Sequence, residues 1–154
     1  MKPKSTRRIV TGHDSQSKAV VLFDSPLQAK QRSAGCNGIT LLWVTGEFPV
    51  DASDSADRSQ TQVGVPPAGE GTVFRIVDFA PIPPHAAPVD HEQILRAMGI
   101  DSATQGYARH ANTHRTRTID YAIVLEGEID MLLDDSAIHV KAGDVCNRRP
   151  IMPG

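Results

Sequence analysis

One stretch concentrates side chains able to do chemistry: His114-Arg115-Thr116-Arg117-Thr118-Ile119-Asp120, with Gly127 beyond it. Imidazole and carboxylate together suit Zn, Fe or Mn. A facial set of histidines and a carboxylate with open positions suits iron-dependent oxygen chemistry. Asp120 sits among Ile119, Tyr121 and Ile123, and a carboxylate in so apolar a strand must be paired, hydrated or coordinating. Its structural alternative to a metal is an ion pair with Arg115 or Arg117. Taken alone, His114 at a strand entrance reads as a surface or hydrogen-bonded histidine, and His110, in the polar loop 106–113, reads as solvated. His13, His85, His91 and His139 have no partner at ligand spacing and read as surface, while Trp43 and Phe74 read as core.

Such residues need elements to hold them, and the strand signals dominate. Residues 7–11 and 18–24 are short runs around a turn-rich hexapeptide and read as a hairpin. Residues 38–45 (GITLLWVT) and 72–79 (TVFRIVDF) are β-branched and aromatic, and the second has no wholly polar face, so it reads as covered on both sides. Between them, residues 50–62 hold three Asp and three Ser and little that is apolar. That segment reads as a solvated, poorly ordered loop without the closing Glu of a calcium loop. Pro81, Pro83, Pro84 and Pro88 break regular structure, and residues 90–98 then form the one convincing helix, with Asp90 as N-cap and Gly99 as stop. Residues 118–125 read as a strand, Glu126-Gly127 as a tight turn and 128–133 as its antiparallel partner. Asp134-Asp135-Ser136 makes the next turn, 137–140 another strand, and Lys141-Ala142-Gly143-Asp144 a third turn. Strands this short and closely spaced mark an all-β sandwich or barrel.

Composition bounds the partners. The chain has 154 residues, 16 Lys+Arg against 18 Asp+Glu, and 40% apolar residues. A chain this long can bury roughly 70% of its extended surface, which excludes disorder as a description of the whole. The near-neutral charge argues against a nucleic-acid partner, and no apolar run approaches the ~20 residues of a membrane span. No apolar segment follows the basic start, so no secretory signal is readable and a cytoplasmic protein is expected. Cys36 and Cys146 stand far apart and are expected to be reduced thiols.

The stretch from His114 to Val145 resembles the cupin superfamily, whose small jelly-roll barrel holds a metal or a small ligand. Its first motif has the form G-x5-H-x-H-x3-E-x6-G, followed by a strand pair, a G-D-V turn and a second motif with another histidine. His114 falls in the first-His slot, Thr116 in the second, Ala108 in the leading Gly slot, and Asp120 replaces the Glu seven residues before Gly127. The signature H-R-T-R-T-I-D-Y, with the upstream L-W-V-T and T-V-F-R-I-V-D-F, is similar to a subgroup of bacterial and fungal cupins. The likeness runs from residue 7 to residue 145. It implies an all-β cupin jelly-roll barrel, incomplete at its C-terminal side, with one short helix. The division expected is a flexible N-terminus (1–6), a cupin domain (7–145) and an aberrant tail (146–154).

Family members continue past G-D-V into V-x-Q-R-G-T-x-H-x-W, whereas this chain ends on Cys146-Asn147-Arg148-Arg149-Pro150-Ile151-Met152-Pro153-Gly154. Read one nucleotide earlier, the codons of Ile151–Gly154 permit Asn-His-Ala-Trp. A frameshift, missed intron or truncation after Val145 is therefore expected, and a stop codon in the earlier frame would exclude it.

The resemblance implies a metal-dependent oxidoreductase acting on a small organic molecule, in secondary metabolism. His114 and Asp120 would be its metal ligands and Fe, Mn or Zn the metal, held weakly because two protein ligands are too few. The alternatives are a non-catalytic small-molecule binder or degenerate cupin, and a cupin decarboxylase, isomerase or dehydratase. A small-molecule substrate and a homodimer are the expected partners.

Overall fold

The computed structural model describes residues 4–30, 36–67, 69–81, 85, 90–102, 105, 109–110 and 112–149, without the side chains of residues 36 and 37. Ala108, Pro83, Pro84, Pro88 and the end of the tail from Pro150 lie outside the described residues. The chain divides into two units, Met1–Ala87 and Pro88–Gly154.

In the first unit, β1 (Ser5–His13) and β2 (Ala19–Gln28) form an antiparallel hairpin. Its turn is held by Asp14, whose carboxylate accepts from the amides of Gln16 (2.9 Å) and Lys18 (3.0 Å). Both strands outrun the apolar pattern, because the ladder continues through polar residues at either end. Alternation sends Thr6, Arg8 and Val10 inward and Arg7 and Ile9 outward. The second pair, β3 (Cys36–Thr45) and β4 (Thr72–Phe79), is also antiparallel, with Thr45 and Thr72 hydroxyls 2.9 Å apart at its end. A Cβ on Gly71 would lie 1.8 Å from the Thr45 carbonyl oxygen, so only glycine can enter β4 there. Among the described residues of this unit, Leu27, Leu41, Leu42 and Val44 are the buried apolar ones.

The acidic loop between β3 and β4 is largely exposed, as expected, but is more ordered than expected. Asp51, Asp54 and Asp57 recur every third residue, and each accepts from the amide two residues on, at 2.9 Å. These are Asx turns, in which a side chain replaces a backbone turn partner. Asp57 is then tied to Arg8, and Ser59 is buried. Arg75 donates to the Gly64 and Val65 carbonyls, both at 3.0 Å. Residue composition hid this order, because the loop is built by polar side chains on their own backbone rather than by apolar burial. Phe74 departs in the other direction: expected in the core, it is 64% exposed, paired across the sheet with half-buried Trp43.

The second unit opens with α1 (His91–Met98). Asp90 caps it by accepting from the Glu92 amide at 3.0 Å, and Gly99 ends it with a left-handed φ of 72°. Ile94 and Leu95 form its buried stripe, and Ile100 and Val140 are the other buried apolar residues among those described in this unit. Four strands follow: β5 (Asp120–Ile123), β6 (Glu128–Leu132), β7 (Ala137–Lys141) and β8 (Val145–Arg148).

Their pairing corrects the sequence reading. Glu128–Leu132 is not the partner of the preceding strand; β5 pairs with β8 and β6 with β7, both antiparallel. The chain reverses once, at Asp134-Asp135-Ser136, where the Leu133 amide donates to the Ser136 carbonyl at 2.9 Å. The other two supposed turns are opposed kinks in the two arms of that reversal. Gly127 (φ 75°) and Gly143 (φ 95°) supply the left-handed residues. Bonds across the kinks, Val124 to Asp144, Gly143 to Val124 and Ala142 to Gly127, carry the ladder from one strand pair to the next. Among the described residues the chain is thus all-β apart from one short helix, which is not long and apolar enough to cross a membrane.

Candidate functional site

The nested pairing decides where Asp120 goes. Asp120 and Arg148 are directly opposite in the β5–β8 ladder, so their side chains share a face. The Arg148 guanidinium forms an ion pair with the Asp120 carboxylate, both side chains being half-buried. It also donates to the Thr116 hydroxyl and to the His114 carbonyl oxygen (3.3 Å). Thr116 and Thr118 hydroxyls lie 2.6 Å apart, and Thr118 donates to Asp120 Oδ1 at 2.7 Å. One guanidinium therefore gathers all three motif positions, 114, 116 and 120.

The neighbouring arginine faces elsewhere. Arg115 forms an ion pair with Asp134 (2.9 and 3.0 Å to its two oxygens), and its backbone brackets buried Gln105, whose amide donates to the Arg115 carbonyl at 3.1 Å. The expected partnership of Asp120 with Arg115 or Arg117 is thus taken by Arg148, a residue assigned from sequence to an aberrant tail. His114 Nδ1 lies 2.9 Å from the Asn112 carbonyl oxygen. His110 is half-buried rather than solvated, its Nδ1 accepting from the Asn112 amide at 3.2 Å. His139 is exposed as expected yet has partners: its Nδ1 is 2.9 Å from Asp130 and its Nε2 3.6 Å from Glu128. The hydrogen bond with Asp130, then the charges of Asp130 and Glu128, raise its pKa.

As arranged, these residues do not fit a metal. The Asp120 oxygens are taken by a guanidinium and a hydroxyl, and the histidine reaches Arg148 through its backbone rather than its ring. Among the described residues, no group of three His, Cys, Asp or Glu converges as a metal site would require. Cys146, in β8, is a half-buried free thiol.

No family model matches the chain. It is similar to a phomopsin biosynthesis cluster protein, C′, of Diaporthe leptostromiformis, 29% identical in an alignment that covers 95% of this chain and 67% of that protein. It is also similar to the cupin-domain-containing oxidoreductase srdD of Neurospora crassa, at 28% identity over 92% of this chain and 61% of the relative. The cupin-domain-containing oxidoreductase virC of Hypocrea virens is 26% identical over 95% of this chain and 64% of its own length. The similarity supports a cupin domain. A cupin relationship implies a jelly roll, in keeping with the short antiparallel strands and single helix seen here. This chain spans 61–67% of the length of these relatives.

Two arrangements escaped the sequence reading. Arg148 carried a findable signal: with the reversal placed at Asp134-Asp135-Ser136, Asp120 and Arg148 fall opposite one another. Arg8 carried only a weak one, as the inward member of an alternating strand.

Proposed function

We propose that this chain is a cupin-domain oxidoreductase acting on a small organic molecule in secondary metabolism. The observation that carries the reading is the similarity, over more than nine tenths of this chain, to proteins named as cupin-domain-containing oxidoreductases and as part of a phomopsin biosynthesis cluster. The β5–β8 face, with Asp120, Arg148 and the Thr116 and Thr118 hydroxyls, is the polar cluster that would meet the substrate. A divalent metal on His114 and Asp120 belongs to the reading only as a weakly held ion, since Arg148 already engages the carboxylate. The proposal includes a homodimer, for which exposed Tyr121, Ile123 and Val145 offer an apolar face.

The test is deletion of the gene in its source organism, followed by mass spectrometry of small-molecule extracts. The reading expects one product to disappear and a precursor to accumulate that differs from it by two hydrogens or one oxygen. A precursor differing by carbon dioxide or water would instead favour a decarboxylase or dehydratase, and unchanged extracts would contradict an enzymatic role. A second reading, a non-catalytic binder, is favoured by one observation: Asp120 is closed off by an ion pair and a hydroxyl.

A further inference from the structure

We propose that Arg148 is the resident cation of the β5–β8 site and keeps it closed to divalent metal. A metal bound at the motif positions would draw on oxygen and nitrogen donors around one point. Here the point is taken by a guanidinium, which contacts the Asp120 carboxylate, the Thr116 hydroxyl and the His114 carbonyl. A guanidinium is charged at every accessible pH and presents its donors in a fixed planar fork. It therefore supplies one positive charge, enough to neutralise the single Asp120 carboxylate, while leaving no open coordination position.

The surroundings are arranged for the guanidinium. Thr116 occupies the position where the cupin pattern has a histidine. Neutral imidazole presents a nitrogen lone pair to a metal, whereas this hydroxyl accepts from Arg148 and lies 2.6 Å from Thr118. Thr118 in turn donates to the second oxygen of Asp120 at 2.7 Å, so both carboxylate oxygens are engaged. Register fixes the arrangement, because Arg148 stands opposite Asp120 in an antiparallel ladder. For a metal to use Asp120 it must first displace a charge-assisted pair, and that competition lowers its apparent affinity.

The inference rests on the cupin reading only for its choice of metal, and the test separates the two. Manganese(II) is titrated calorimetrically into the intact wild-type chain, Arg148→Gln and Arg148→Leu, each with and without Asp120→Asn, with thermal melts confirming the fold. Wild type and Asp120→Asn should bind alike and weakly. Either folded Arg148 variant should bind at least about tenfold more tightly, the lower end of what residues supporting a metal ligand contribute, and Asp120→Asn should abolish that gain. If wild type binds tightly through Asp120 and the Arg148 variants bind no better, the metal reading stands and this inference falls. If no variant binds through Asp120, both fall. Loss of cooperative melting in both Arg148 variants would make Arg148 a structural strut and also overturn the inference.

Discussion

Each unit of the chain contains an arginine–aspartate pair reaching between separate segments, and the two pairs do different jobs. In the first unit Arg8 is 6% exposed and meets Asp57 through two bonds of 2.8 and 2.6 Å, with a third bond of 3.2 Å to the Leu42 carbonyl. Its guanidinium carbon lies 5.3 Å from the centre of the Phe23 ring. In the second unit Arg148 and Asp120 are 37% and 42% exposed, and the guanidinium collects a hydroxyl and a carbonyl besides the carboxylate. Burial makes the difference. A charge removed from water relies on fixed partners, which Arg8 finds at both terminal nitrogens though not at its buried Nε, so its pair is scaffold; the half-exposed Arg148 pair is reachable from solvent, so it can act as a site.

Removing one member of each pair should break the comparison most clearly. Arg8→Met keeps much of the side-chain volume but strands Asp57 and the Leu42 carbonyl. It should cost about 2–3 kcal/mol of unfolding free energy in denaturant titrations, somewhat less than a fully buried pair because Asp57 is a third exposed. The same variant should speed protease cleavage within residues 50–62, which lose their anchor. Arg148→Gln, by contrast, should cost less than about 1 kcal/mol, as half-exposed pairs do. Equal costs in the two variants would remove the distinction.

Acid sharpens it further. The hydrogen bonds from the Arg8 guanidinium, with those from Ser59 and the Arg8 charge, hold the Asp57 carboxyl well below the usual carboxylate range. A carboxyl whose pKa is lowered by folding stabilises the protein above its unfolded pKa, about 3.9, and loses that contribution as pH falls toward the folded value. The Arg8–Asp57 contribution should therefore be constant from pH 7 to about 5 and decline below about 4, a loss that Asp57→Asn should flatten in acid denaturation curves. The smallest effect concerns His139, on the exposed face of the β6–β7 hairpin. Its raised pKa gives stability below the ordinary histidine range and loses it as pH rises through the folded value. In an NMR titration its midpoint should lie above that of a free histidine, and Asp130→Asn should bring it down.

The strands and the helix were legible in the sequence wherever apolar period or capping chemistry carried them. Thr72–Phe79 and the Asp90 and Gly99 caps fall where the residues say. Pairing was less legible, because Glu126-Gly127 and Ala142-Gly143 look like reversing turns although each only kinks its arm. A left-handed glycine is compatible with both outcomes, and the choice depends on which strands find ladder partners. The site inherited that ambiguity. With β6 set against β5, Asp120 had only Arg115 and Arg117 near it, and Arg148 was out of reach. The order of the acidic loop was missed for a related reason: its exposure was legible, but its Asx turns and its tie to Arg8 are polar interactions, which composition does not distinguish from solvation.

The measurement closest to the heart of this description is the guanidinium NMR spectrum of Arg148 in the wild-type chain and in Asp120→Asn. A guanidinium bonded to a carboxylate, a hydroxyl and a carbonyl has hindered rotation, so its terminal nitrogens should give resolved, slowly exchanging signals in the wild type and averaged ones in Asp120→Asn. Averaged signals already in the wild type, indistinguishable from those of a solvated arginine, would contradict the clamp on Asp120.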